Sequence, residues 1–188
     1  MIAGESLPTL ETPRVRLRWL AESDVEALFR IFSDGPMMRY WSSTPMVSRT
    51  EAVELLERIH RQFAEKSALQ WGIERKEDGE LLGTCTLFSI HRGNMRAEIG
   101  YCLRSPHWRK GYMSEALAAL IDYAFGSLML RRLEADVDPG NAGSLRILER
   151  MGFRREGLLR ERWNVGGVIA DSVILGLLAR EWRTGPPA

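Results

Sequence analysis

The sequence predicts an α/β fold, an α+β mixed sheet of about seven strands with about four helices on its faces in three layers. Three observations predict it. Apolar and polar residues alternate at 14–20, 69–74, 81–90 and 96–103, the period of half-buried strands. Helical spacing at 112–125 is followed by strand alternation at 133–137, and strand, helix, strand implies a parallel crossover. The chain has 188 residues, 45% hydrophobic and 27% charged, with mean hydropathy −0.21, a composition that supports a buried core. One domain over 1–188 is expected, its core spanning about 10–183 and its tail at 184–188 frayed.

Each element has a local reason. Residues 14–20 read Arg-Val-Arg-Leu-Arg-Trp-Leu, with charge on one face and Val15, Leu17 and Trp19 on the other. Ser23-Asp-Val-Glu26 and Ser48-Arg-Thr-Glu51 have the form of capping boxes, so two helices are expected to begin there. The second runs to about Glu65, and a loop over 34–47 separates the two. Three strands follow, parted by Glu-Asp-Gly-Glu and His-Arg-Gly-Asn turns, as an antiparallel meander. After the crossover, Asn141 caps a short helix that Gly152 stops. Two strands at 153–163 and 168–178 then flank Asn164-Val-Gly-Gly167, a hairpin signal.

Composition also excludes. Lys plus Arg number 26 and Asp plus Glu 25, a net charge of +1, which supplies no global field for nucleic acid. No stretch approaches the ~20 apolar residues of a membrane-spanning helix. Residues 1–6 lack a basic segment leading into an apolar one, so a cytoplasmic protein is expected. Cys85 and Cys102 each sit in a strand pattern and read as buried free thiols. His60, His91 and His107 show no metal-ligand spacing and read as surface or loop residues, and Arg131-Arg132 and Arg154-Arg155 as solvated strand ends.

The chemistry concentrates after residue 103. Leu103-Arg-Ser-Pro-His-Trp-Arg-Lys-Gly-Tyr-Met-Ser leaves a strand and enters a helix at Gly111. A helix start offers unpaired amides and partial positive charge, the requirements for cradling a phosphate. Asn141, Ser144, Leu148 and Gly152 form a second strand-to-helix signal.

Trp108-Arg-Lys-Gly-Tyr-Met-Ser-Glu-Ala116 resembles the pyrophosphate loop of the GNAT acetyltransferases, whose pattern is Arg/Gln-x-x-Gly-x-Gly/Ala. Residues 141–153 are similar to that family's N-x-x-S-x-x-x-L-x-x-x-G-F form. The likeness extends to Ala97-Glu-Ile-Gly-Tyr101, to 12–20 followed by Asp24, to Met38-Arg-Tyr-Trp41, to Arg160-Glu161 and to Glu181-Trp182. Together these resemble the branch of RimJ/RimL-type N-terminal acetyltransferases of ribosomal proteins.

The resemblance implies acetyl-CoA as acetyl donor. Amides of Arg109, Lys110, Gly111, Tyr112, Met113 and Ser114 would take the pyrophosphate, and Cys102 and Leu103 would pair with the pantetheine as an added strand. Asn141 and Ser144 would touch the cofactor arm. Arg104, Arg109, Lys110 and Arg146 are all open as contacts to the nucleotide phosphates. Glu98, on the face opposite Ala97, Ile99, Tyr101 and Leu103, stands where related enzymes place a base. Many members carry a tyrosine acid where this chain has Leu148, so the role beside the sulfur passes to Ser144. Met113 replaces Gly/Ala in the loop with a side chain long enough to crowd the approach, and backbone donation is expected to survive it. Tyr40, Trp41, Trp71, Phe88 and Trp163 are candidates to line the acceptor groove, with Arg39, Arg162 and Asp171 as polar contacts.

The expected activity is acetyl transfer to a primary amine, foremost a protein or peptide N-terminal α-amine. The alternatives are a small amine (amino acid, polyamine, aminoglycoside or toxin) and a non-catalytic acyl-CoA-binding module. No nucleic-acid or membrane partner is expected, and monomer and homodimer both stand open.

Overall fold

The alternation at the start of the chain becomes strand because Val15 and Leu17 are wholly buried while Arg16 faces out. The structure is a computed structural model and describes residues 5–182. The expectations for the leader and for the tail at 184–188 fall partly or wholly outside that span. In chain order the elements are β1 (Leu10–Glu11), β2 (Val15–Arg18), α1 (Val25–Phe32), α2 (Gly35–Met38) and α3 (Arg49–Ala64). Next come β3 (Leu69–Arg75), β4 (Leu81–His91), β5 (Arg96–Leu103) and α4 (Tyr112–Asp122). The chain continues through β6 (Arg132–Val137), α5 (Ala142–Arg150), β7 (Arg154–Val165) and β8 (Val168–Leu178).

The eight strands form one sheet in the order β1-β2-β3-β4-β5-β6-β8-β7. Every pairing is antiparallel except β5 with β6, the expected crossover. Consecutive residues show the two faces: Leu82 and Leu103 pack with α4 and α5, while Leu81 and Cys102 pack under α1–α3. The three layers follow from that division. No helix among the described residues is long and apolar enough to cross a membrane.

The count exceeds the expectation by one strand and one helix. Leu10–Glu11 folds back on β2, and the loop at 34–47 contains α2, too short for a period to show. Glu51 accepts from the Ser48 amide at 3.1 Å, as a capping box requires. At α1 the cap is different: Asp24, not Ser23 with Glu26, takes the Ala21 amide at 2.9 Å and the Arg18 guanidinium at 2.8 Å. Helix α4 opens into a wider turn at Tyr123–Ser127, and Gly166 and Gly167, with φ of 57° and 87°, close the β7–β8 hairpin.

Cys85 and Cys102 are buried free thiols, and burial pushes Cys102 up to about 11. Two surface assignments are corrected. His107 is buried beside Glu80, and Arg132 is no solvated end, since it pairs with Glu134 and Glu156.

Candidate functional site

β5 and β6 pair over only three positions, Arg96 with Arg132, Ala97 with Leu133 and Glu98 with Glu134. Both strands continue beyond that point. β5 stays on β4 to Leu103, and β6 stays on β8 to Val137. Past Glu98 the sheet therefore opens, and β5 from Ile99 to Leu103, still paired with β4 on one side, has alternate backbone groups on the side of the gap. Backbone N–H and C=O groups inside a sheet need partners, and an extended amide-bearing arm supplies them as a strand would. This geometry fits a pantetheine arm along Cys102 and Leu103.

α4 starts at the end of the same strand. The preceding loop is tied down at both sides, by Trp108 Nε1 donating to the Leu103 carbonyl at 2.6 Å and Ser105 Oγ donating to Asp34 at 3.1 Å. Arg109 and Gly111 take positive φ, 60° and 85°. The helix ladder begins with Glu115 N on the Gly111 carbonyl at 3.2 Å, so the amides of Gly111, Tyr112, Met113 and Ser114 precede it. That is the donor set a pyrophosphate needs. The side chain of Met113 is buried in the core and leaves the loop uncrowded. Arg109, Lys110 and Arg146 are exposed, whereas Arg104 turns to Glu80 at 3.4 Å.

α5 starts across the gap. Asn141 caps it as expected, its Oδ1 accepting the Ser144 amide at 3.1 Å. Ser144 is half-buried in the first turn, and Leu148 is fully buried one turn deeper. Tyr101, which sequence reading had left as a core position, spans the opening: its hydroxyl donates to the Ser144 carbonyl at 3.4 Å. Burial pushes the Tyr101 phenol up, and the bond to Ser144 offsets this only in part, so it stays protonated.

The other face of the sheet carries Glu98. Phe88 lies opposite it on β4 and covers Gly100, where an added Cβ would come within 3.2 Å of the ring. Among the described residues Glu98 has neither an ion pair nor a hydrogen-bond partner. Its neighbour Glu134 is held by Arg96 at 2.6 Å and Arg132 at 2.7 Å. Further along β6, Asp136 accepts from Trp163 Nε1 at 3.1 Å and from the Ser172 hydroxyl, with Arg162 at 3.6 Å. Asp136 was missed in the sequence, although its alternation with Leu133, Ala135 and Val137 puts it on the Glu98 face.

Tyr40 and Trp163 are exposed at the rim, Tyr40 against Gly140 and with Arg39 over its ring at 5.3 Å. Thr44 reaches the hairpin tip at Gly166, so loop and hairpin meet. Asp171 accepts the Glu161 amide at 2.8 Å and fixes the bulge in β7. Trp41 is half-buried edge-on to Phe32 at 5.7 Å. Trp71 is corrected outright: it is fully buried in the cluster under α4, with Nε1 on the Pro8 carbonyl at 2.9 Å, and does not reach the acceptor face.

Comparison with known proteins bears on this arrangement. The acetyltransferase (GNAT) domain profile matches residues 14–154. The uncharacterized N-acetyltransferase p20 of Bacillus licheniformis is 39% identical over 176 residues, covering 94% of this chain and 99% of that protein. The spermidine N(1)-acetyltransferase of Escherichia coli is 25% identical over 169 residues, covering 89% and 88% of the two chains. Among solved structures, Mycobacterium smegmatis RimJ in complex with CoA-disulfide is similar at TM-score 0.81 and 29% identity, over 89% of this chain and 83% of that one.

Proposed function

Given that the chain belongs to the GNAT acetyltransferase family, and is thus an N-acetyltransferase that uses acetyl-CoA, we propose that its acceptor is the α-amine of a protein or peptide N-terminus. The parting of β5 from β6 at Glu98, with the α4 amides at its far end, supports the donor's place, and the exposed rim with the uncovered β7 supports the peptide acceptor. In that arrangement the amides of Gly111 to Ser114 hold the pyrophosphate and the β5 edge holds the arm. Glu98 takes the proton from the attacking amine, and Ser144 sits beside the sulfur. An α-amine, with a pKa of about 8, needs less help to lose its proton than a Lys side chain near 10.4.

The acceptor side supports a peptide over a polyamine. Its carboxylates look like a cation site, but Glu134 and Asp136 are matched by Arg96, Arg132 and Arg162. Glu98 and Asp171 have no cationic partner among the described residues, but Asp171 accepts the Glu161 amide, which leaves Glu98 as the carboxylate of this face with neither an ion pair nor a hydrogen bond. The exposed rim of Tyr40 and Trp163 and the uncovered length of β7 give an extended chain room to lie. The 25%-identical spermidine enzyme supplies the competing acceptor.

Calorimetric titration with acetyl-CoA, followed by a thiol-release assay on peptides with free N-termini and on a panel of small amines, tests the reading. Binding with turnover on peptides is expected. Turnover on small amines alone overturns the peptide acceptor, and binding with no turnover on any amine leaves an acyl-CoA-binding module.

A further inference from the structure

The segment between β1 and β2 crosses the start of α4 and grips it at several atoms. Thr12 Oγ1 and the Arg14 amide both donate to Glu115 Oε2 at 3.0 Å, and Arg14 Nε pairs with Glu115 Oε1. Nη1 of the same guanidinium donates to the Lys110 carbonyl at 2.9 Å, and its centre lies 5.1 Å from the Tyr112 ring centroid. A Cβ at Gly111 would come within 2.7 Å of Arg14 Nη2. One side chain thus touches three consecutive positions of the loop, 110, 111 and 112.

A cation beside a helix start is opposed by the helix dipole. Burial would raise Glu115, but the Arg14 amide and guanidinium and the Thr12 hydroxyl outweigh it, so this carboxylate stays charged and balances one cation. Arg109 and Lys110 are exposed at the same place without ion-pair partners among the described residues. Together they leave net positive charge at the start of α4, which suits a polyanion there.

We propose that Arg14 is a positioning residue for the donor's pyrophosphate, pinning the Lys110 carbonyl so that the Gly111–Ser114 amides face outward. The proposal rests on placing the pyrophosphate at α4. It assigns a role to a residue that sits near position 14, almost a hundred residues before the loop it shapes.

The test uses full-length protein and calorimetry with acetyl-CoA, with acetyl-4′-phosphopantetheine, which keeps one phosphate and lacks the nucleotide, and with acetyl-pantetheine, which lacks both. Arg14→Ala is expected to weaken acetyl-CoA about 10-fold or more while changing acetyl-pantetheine less than about 2-fold. Arg14→Lys is expected to recover little, because an ammonium cannot reach Lys110 and Glu115 with one planar fork. Gly111→Ala should cost less acetyl-CoA affinity in the Arg14→Ala background than alone, since the clash at 2.7 Å is gone. Unchanged acetyl-CoA affinity in Arg14→Ala, or an equal loss for acetyl-CoA and acetyl-pantetheine, overturns the proposal. Full recovery by Arg14→Lys replaces positioning with a simple charge contact and overturns it too. If the unaltered protein binds acetyl-pantetheine but gains nothing from the phosphates of the other two ligands, the placement at α4 fails first and this role with it.

Discussion

Beside Glu98 the sheet passes from paired to parted, and Phe88 on one side and the ion-paired Glu134 on the other leave its carboxylate without a cation of its own. A base at that vertex would stand between the proposed path of the arm and the rim. Glu98→Gln removes the proposed proton acceptor and keeps the shape. It is expected to lower kcat by about 10²–10⁴ while acetyl-CoA affinity holds, measured by thiol release and calorimetry. Unchanged turnover from pH 6 to 9 would remove Glu98 as the base. Ser144 poses a separate question, because its amide is committed to Asn141 and its carbonyl to Tyr101 while its hydroxyl has no partner among the described residues. Ser144→Ala keeps both backbone bonds. It should therefore slow turnover more than it weakens acetyl-CoA binding, and the reverse pattern would make Ser144 a contact only.

Elements were legible where the signal is local. The Ser48–Glu51 cap, the Asn141 cap and the Gly166-Gly167 turn are written within a few residues, and each forms as read. The gap between β5 and β6 is not written anywhere, because it depends on where two strands cease to face each other. Trp71 shows a different failure. It alternates with Leu69 and Ile73, which marked it for the core, and its aromatic character suggested ligand contact instead. Position 83 shows how closely β4 seats β5 on the side away from the gap. A Cβ on Gly83 would sit 2.0 Å from the Cys102 carbonyl oxygen, in backbone that has nowhere to move. Gly83→Ala is expected to cost about 2–4 kcal/mol in urea denaturation and to weaken acetyl-CoA as β5 is displaced from β4.

At the scale of the molecule, two hydrophobic clusters on opposite sheet faces must act as one folding unit, and a charged cluster at the β2 edge links them. Arg18 leaves the sheet to meet Asp24 before α1 with two bonds of 2.8 Å, and the same guanidinium pairs with Glu74 on β3. Asp24 and Glu74 are both buried, so each needs its partner more than a surface carboxylate would. Burial alone would raise Asp24, but the Arg18 fork and the Ala21 amide outweigh it and hold its carboxyl below the usual aspartate range. A carboxylate lowered on folding contributes stability that is fully present above its unfolded pKa and is lost as pH falls through the folded value. Asp24→Asn keeps the volume and loses the charge, leaving Arg18 half-compensated by Glu74. With Arg18 partly exposed, the cost is expected at about 2–3 kcal/mol at pH 7, at or below the range for breaking a buried pair. Urea denaturation of both proteins at pH 7 and again at pH 3 checks the origin of that difference. It should narrow at the lower pH, which lies below the unfolded aspartate pKa of about 3.9, where the contribution of a lowered carboxylate is being lost. A difference that stays the same at both would assign the loss to packing around α1 rather than to the ion pair.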